Sequence, residues 1–310
     1  MQEPKVAIGL AVYNGERFLR PALDSLLAQT MTDFELLISD NASTDSTPEI
    51  CQKYALKDSR IRYVRQPANL GATANFNFLF RETRGKYFAW AAHDDVRHPD
   101  FLRRCVAALD QDPEIVLVFT RSRRIDEEGK VTGFYDKWDN DMRISHPAPH
   151  IRFSDVVCVQ HACLAIFGVI RRDVLARTPL LGTQVGSDRD LLGELALIGK
   201  WRQLPDELFD RREHQGDSLH QFPREHLRLT WFDPAQAGSV GFPTWRNLGE
   251  LAASVRRAPL PRRERLLAYA QFPRWLFGPR WFRPRWLRML RDVGVGLGAY
   301  ARRGLRRSEQ

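Results

Sequence analysis

Along the first half of the chain, strand-like and helix-like apolar patterns alternate. "VAIGLAV" (Val6–Val12) is a continuous apolar run of the kind buried on both faces of a parallel sheet. "FELLISD" (Phe34–Asp40), "RIRYVRQ" (60–66) and "KYFAWAA" (86–92) read as three further strands. Between them the spacing turns helical: Phe18, Ala22, Leu23, Leu26 and Leu27 share one face. "STPEICQKYA" supplies a helix start, with Thr47 as N-cap, Pro48 at the first helical position and Glu49 in the first turn. A turn at Gly71 leads into a helix over 73–84, and "HPDFLRRCVAALD" starts another near Pro99. "EIVLVFTRSRRID" and "KVTGFYD" flank the turn "EEGK" and predict an antiparallel pair.

This alternation, with its short connections, predicts an α/β fold: a doubly wound, mostly parallel sheet flanked by helices, since parallel neighbours need helical crossovers. Ligands of such sheets bind beyond the carboxyl ends of the strands. Tyr13 and Asn14, Asp40 and Asn41, and His93 to Asp95 all fall at those ends, which is the main reason to expect a site there. Further on, "RISHPAPHIRFS" (143–154) reads as a loop or lid and "ACLAIFGVI" (162–170) as a buried strand. "SDRDLLGELALIGKW" reads as a helix whose leading acids suit the N-terminal dipole, and "LFDRREHQGDS" as a strand running into a loop.

Composition narrows the class. Of 310 residues, 43% are hydrophobic and 27% charged, an ordinary globular balance with room for one large domain and an appendage. The run at 162–170 is about half of the roughly 18–20 apolar residues a membrane span needs. Met1–Pro4 leads straight into the first strand, so no leader is expected. Four cysteines without a CxxC pair read as reduced thiols, consistent with a cytoplasmic location. The net charge of +9 is uneven. Residues 250–310 hold 15 arginines against 4 acids, a net +11, and the remainder is −2. The basic character belongs to the tail and says nothing about the main domain's partner.

Neither a Walker-type loop nor a GxGxxG after the first strand is present. A phosphate-bearing ligand would then be neutralised by a divalent cation, Mn²⁺ or Mg²⁺, held by one or two carboxylates. "WAAHDDV" offers them: Asp94 and Asp95 end an apolar strand, and the next helix begins too late for either to cap it.

Taken in order, the stretches "VAIGLAVYNGERFLRPALDSLLAQTMTDFELLISDNASTDST", "NLGATANFNFLFRETRGKYFAWAAHDD" and "GSDRDLLGELALIGKW" resemble a family 2 glycosyltransferase of the GT-A fold over about residues 6–218. The resemblance implies an inverting, metal-dependent transfer of sugar from a nucleoside-diphosphate sugar to a glycan or lipid-linked acceptor, in cell-envelope polysaccharide or glycolipid assembly. It implies donor-binding roles for Ala11, Tyr13, Asn14, Asp40, Asn41, Asn69, Gly71, Asn75 and Asp94. Asp95 would hold the metal and Asp188 would be the general base, with Asp190 its rival. Asn41 and His93 depart from the more usual acids. Arg211, Arg212 and His214 fall where some relatives fold a loop over the diphosphate, and a solvated strand edge is an equal reading. His161 reads as a satisfied core histidine.

The resemblance divides the chain into a transferase domain, 1–232 (nucleotide-sugar half 1–115, acceptor half 116–232), and a basic, helical extension, 233–310. Within the extension "FPRWLFGPRWFRPRWLRMLR" interleaves Trp275, Trp281 and Trp286 with arginines. That pattern suits either an interfacial segment on an anionic membrane, which would make the protein peripheral on the cytoplasmic face, or short helices packed on the domain; nucleic acid is not expected as a partner. A sugar-phosphate nucleotidyltransferase and a non-catalytic nucleotide-sugar-binding or scaffold protein are the alternative functions.

Overall fold

The computed structural model describes residues 3–135, 142–216, 225–236, 242–278 and 285–294. Its first half is a run of strands and crossover helices: β1 (Val6–Val12), α1 (Leu19–Leu27), β2 (Phe34–Asp40), α2 (Thr47–Lys57), β3 (Ile61–Arg65), α3 (Ala72–Glu82) and β4 (Tyr87–Ala92). Then come β5 (Val96–Arg97), α4 (Phe101–Gln111), β6 (Ile115–Ile125), β7 (Val131–Phe134), α5 (Pro149–Cys158), β8 (Val169–Arg171), α6 (Arg172–Leu175), α7 (Ser187–Ile198) and β9 (Lys200–Arg212). The described strands form one sheet in the order β3-β2-β1-β4-β8-β6-β9-β5, with β7 also on β6. Its long ladders are parallel (β1 with β2 and β4, β2 with β3, β6 with β9). The antiparallel ones join two or three residue pairs each, at β8, β5 and β7.

Alternate residues of β1 feed two cores. Val6, Ile8, Leu10 and Val12 pack with α1, α2 and α4 on one face, while Ala7 and Ala11 join Leu79 of α3 on the other. The second face is lined by small residues because α3 lies close: a Cβ on Gly9 would sit 2.7 Å from Leu79 Cβ. Gly9→Val would therefore force the helix off the sheet.

Several expectations need correction. The N-cap of α2 is Ser46, and Thr47 is already helical, its hydroxyl committed to the β1–α1 loop. Residues 143–154 are not a free loop, because from Pro149 onward they form α5, with Arg152, Phe153 and Ser154 buried. The arginine in that buried face hid the helical period. The apolar run 162–170 is not one strand: left-handed Cys163 (φ 59) starts a 3-10 turn at Leu164–Phe167, leaving only Val169–Arg171 extended.

Beyond β9 the chain adds α8 (Glu225–Phe232), and the tail α9 (Pro243–Arg257), α10 (Arg262–Tyr269), α11 (Phe272–Phe277) and α12 (285–294). Leu251, Val255 and Trp275 of this region bury against Phe153, Val157 and Leu197, so the extension is packed on the domain through α5 and α7. Trp281 lies outside the described residues. Among the described residues no helix is long and apolar enough to cross a membrane.

Candidate active site

β1, β2, β3, β4, β6 and β9 point the same way, so their carboxyl ends share one edge. There the β1–α1 and β2–α2 loops are laced together. Asn14, left-handed at φ 50, donates its amide to Ser43 Oγ (2.9 Å) and accepts from the Thr44 amide (2.8 Å). Gly15 N–H reaches Thr47 Oγ1, Glu16 N–H reaches Asp45, and the Glu16 carboxylate accepts from Ser46 N–H. Asp40 is fully buried at the centre, accepting from Ser43 N–H and from the Tyr63 hydroxyl, both at 2.8 Å.

A second chain of contacts runs to α3. Asn41 donates to Asn69 (2.8 Å) and accepts from Leu70 N–H, while Asn69 accepts from Gly71 N–H. Gly71, at φ 82, could not carry a side chain, since a Cβ would lie 2.5 Å from the Phe232 carbonyl. Asn75 accepts from Ser39 Oγ (2.5 Å) and donates to the Ser39 carbonyl. The structure thus brings Ala11, Asn14, Asp40, Asn41, Asn69, Gly71 and Asn75 together as an ordered wall, with Tyr13 exposed above it. In that wall Asp40, Asn41 and Asn75 are buried and committed to protein partners, so they shape the cleft more than they line it.

The adjacent carboxylates Asp94 and Asp95 are 7% and 3% exposed, and the end of β9 holds them. Arg212 donates its amide to Asp95 Oδ1 (3.0 Å) and its Nε to the Asp94 carbonyl (3.0 Å). His214 Nε2 meets Asp94 Oδ2 at 3.0 Å, and Arg211 lies 3.5 Å from Asp95. Arg212 also ties down the carbonyls of Asp126 and Glu127, so it is a brace for the β6–β7 turn. The three residues whose place the sequence left open are thus assembled around the acids. Burial alone would raise Asp94, but the His93 charge, the His214 hydrogen bond and Arg211 outweigh it and hold its carboxyl well below the usual range. Burial pushes Asp95 up against the pull of Arg211, with the Asp94 charge adding to the rise. His93, unexplained by sequence, packs its ring on the β1–α1 loop: a Cβ on Gly15 would lie 2.6 Å from it.

Asp95 Oδ2 is buried and has no hydrogen-bond partner among the described residues. An orphaned carboxylate oxygen at the carboxyl edge of the sheet fits a hard divalent cation. Among the described residues no three His, Cys, Asp or Glu side chains converge as a metal cage. Asp95 would therefore be the protein's share of a coordination sphere completed by ligand phosphate and water.

The candidate base lies on α7. That helix ends at the amino edge of the sheet, where Gly199 turns directly into β9, so its first turn points back to the carboxyl edge. The segment before it is pinned to α3: Thr73 donates to the Gly182 carbonyl (2.9 Å) and Asn77 to that of Leu181 (2.8 Å). Gly186, left-handed at φ 88, is the N-cap, so Asp188 is not a cap. The two acids differ as residues two apart on a helix must. Asp188 is half-buried and accepts only from the neighbouring Arg189 N–H among the described residues. Asp190 turns inward to Gln184 (3.0 Å), and burial pushes its carboxyl up to about 8. It lines a cavity of about 80 Å³ with Ser187, Glu194, Ser254 and Arg257. His161 is a satisfied core histidine, its Nε2 2.8 Å from the Val156 carbonyl.

The extension braces this region. On α9, Asn247 donates to the Val185 carbonyl and Arg246 to Thr183 Oγ1, both at 3.0 Å. Arg257 and Ser254 together satisfy the buried Glu194 carboxylate of α7.

The model of glycosyl transferase family 2 matches residues 7–175. Chondroitin synthase of Escherichia coli is 33% identical over 135 residues, 44% of this chain and 20% of that protein. Putative glycosyltransferase EpsH of Bacillus subtilis is 32% identical over 117 residues, covering 38% of this chain and 34% of its own. The chain therefore spans well under half of the length of these relatives. In structure it superposes on S. aureus TarS 1-349 in complex with UDP-GlcNAc with a TM-score of 0.63, covering 95% of this chain and 81% of the other at 16% identity. For the mannosyltransferase PcManGT of Pyrobaculum calidifontis, bound to GDP-Man and Mn²⁺, the TM-score is 0.54 with 97% and 87% covered at 18% identity. With more than half of its residues inside the family model, the chain belongs to glycosyl transferase family 2.

Proposed function

We propose that the protein is an inverting glycosyltransferase that moves a sugar from a nucleoside-diphosphate sugar to a hydroxyl of a glycan or lipid-linked acceptor. The observation that carries this reading is the shared edge. A buried carboxylate with one orphaned oxygen, Asp95, stands just past the carboxyl end of β4, and a half-buried carboxylate on a separate element, Asp188, lies in a helix turn that points back to the same edge. Inversion needs these two groups apart, one on the donor phosphate side and one on the acceptor side.

Tyr13 and the wall built on Asp40, Asn41 and Asn69 would receive the base and ribose, with Asp94 on the ribose side. The turn at Gly71 opens α3, whose first amides suit a diphosphate. A divalent cation held by Asp95 would offset the negative charge that grows on the departing nucleoside diphosphate. Asp188 takes the proton of the acceptor hydroxyl as its oxygen attacks the anomeric carbon. Asp190, its carboxyl pushed up to about 8 by burial and bonded to Gln184, is a support for that helix turn. The TarS and PcManGT complexes hold UDP-GlcNAc and GDP-Man, so uridine and guanosine sugars are the first donors to test. Acceptors from cell-envelope polysaccharide or glycolipid assembly, met at the cytoplasmic face, follow from the same family reading.

The test is nucleoside-diphosphate release with Mn²⁺ or Mg²⁺ and a panel of nucleotide sugars and acceptors, alongside donor binding by calorimetry. Asp188→Asn should retain donor binding and lose transfer by about a hundredfold to ten-thousandfold. Asp95→Asn should lose the cation-dependent part of donor binding. Normal transfer by Asp188→Asn would overturn the assignment of the base.

A further inference from the structure

The last described helix, α12 (285–294), has its polarity reversed. Arg285, Met289 and Asp292, spaced i, i+4, i+7, are 3%, 6% and 4% exposed and form its inward face. Trp286, Leu290 and Val293 repeat the same spacing one residue on and, with Leu287, form an exposed face; Leu290 is 60% exposed. The charged residues serve as anchors. Arg285 donates to the carbonyls of Trp275 (2.6 Å) and Val157 (2.8 Å) and stacks on the Trp275 ring. Asp292 accepts from the Thr244 amide at the start of α9 (3.1 Å). A helix fastened through Arg285 and Asp292, with all its larger apolar groups but Met289 outward, is arranged for a medium less polar than water.

The neighbourhood extends that face and sets its charge. Trp245 of α9, 47% exposed, donates its indole N–H to the Met289 carbonyl (3.3 Å), placing a second exposed indole against α12. Arg291 is exposed and Arg288 half-buried on the same helix, within a segment of 15 arginines and 4 acids. Indoles at headgroup level with guanidinium groups beside them match an anionic bilayer surface, where the rings enter the interface and the arginines meet lipid phosphate. The first turn of α9 is also where Arg246 and Asn247 hold the Thr183–Val185 segment that precedes Asp188. One helical turn thus joins the exposed face to the candidate base.

We infer that α12 and Trp245 dock the protein on an anionic lipid bilayer, with Trp286, Leu290 and Val293 in the interface and the acceptor side of the cleft facing the lipid. The docking deepens the proposed function, since a lipid-linked acceptor would reach the cleft from that surface. It is read without a transfer assay, so it stands or falls separately from the role of Asp188.

The experiment is flotation of the full chain with vesicles of phosphatidylcholine alone or with a third phosphatidylglycerol, at low and high salt. The phosphatidylglycerol vesicles should carry the protein at low salt and release most of it at high salt. Trp286→Glu combined with Leu290→Glu should cut the bound fraction at least tenfold, with the thermal midpoint and nucleotide binding unchanged. Should that pair disturb folding, Leu290→Ser alone is expected to lower binding severalfold. Absence of binding to the anionic vesicles, equal binding to phosphatidylcholine alone, or wild-type binding by folded variants would each overturn the proposal. So would a dimer in light scattering that the double substitution dissolves while vesicle binding is absent, because the face would then cover a second copy of the chain.

Discussion

The two sides of the cleft are built in opposite ways. On the donor side, Asn14, Asp40, Asn41, Asn69 and Asn75 bond within and between neighbouring strand-end loops, and nearly all of their partners lie within about thirty residues. On the proposed acceptor side, the segment before Asp188 is held by Asn247 and Arg246 and its helix by Arg257, some sixty residues later, in addition to the bonds from Thr73 and Asn77 of α3. The proposed donor wall is a property of the sheet edge, and the position of the proposed base depends also on how the extension packs. Damage to the extension should therefore reach catalysis and leave nucleotide binding intact.

Three substitutions sharpen this contrast. Arg257→Leu removes the cation from Glu194, whose carboxylate is almost wholly buried. A fully buried pair broken this way costs roughly 3–5 kcal/mol, and with Arg257 a third exposed about 2 kcal/mol is expected. Urea unfolding checks the loss, and unchanged donor affinity in the folded fraction checks that the two sides are separable. A parallel fall in donor affinity would break the comparison.

Asp190→Asn comes next. The wild-type carboxyl is raised in the fold to about 8, so folding takes up a proton between the ordinary carboxylate range and that value. Stability then falls as pH rises across this window, because the unfolded chain has already released the proton. Asparagine mimics the protonated acid, so the variant should gain on the wild type by on the order of 1 kcal/mol at pH 8.5 relative to pH 7. Thermal midpoints of both proteins at the two pH values measure this, and identical pH slopes would contradict it.

The smallest effect belongs to the donor wall. Ala42 is left-handed at φ 63, beside Asp40 and Asn41. Ala42→Gly relieves about 1 kcal/mol of backbone strain and returns part of it as unfolded-chain entropy, for a net gain of about 0.5 kcal/mol. Chemical denaturation resolves it, and donor affinity should stay within a factor of two.

How much of this was legible depended on the range of the interaction. The strands and helices up to α4 follow from local period, because each strand is covered on both faces and each helix on one. Asp94 and Asp95 stand out in the sequence as unexplained charge, and the family resemblance implies a role for them. What neutralises them was not legible, since Arg211 and His214 lie nearly 120 residues on and read equally as a solvated strand edge. Helix α5 was missed because its buried face includes Arg152, whose guanidinium is satisfied by the Ala196, His146 and Pro147 carbonyls. The tail was read as either interfacial or packed, and its parts divide: Trp275 is buried while Trp286 faces outward.

By itself the sequence determined the α/β order, the polar residues at the strand ends and the family to which they belong, all of which rest on residues close together in the chain. Tertiary structure alone decided which of Asp188 and Asp190 is buried, which basic residues hold the acids, and which side of α12 meets solvent. Those outcomes turn on desolvation and on hydrogen bonds between elements far apart in sequence, so no local pattern encodes them.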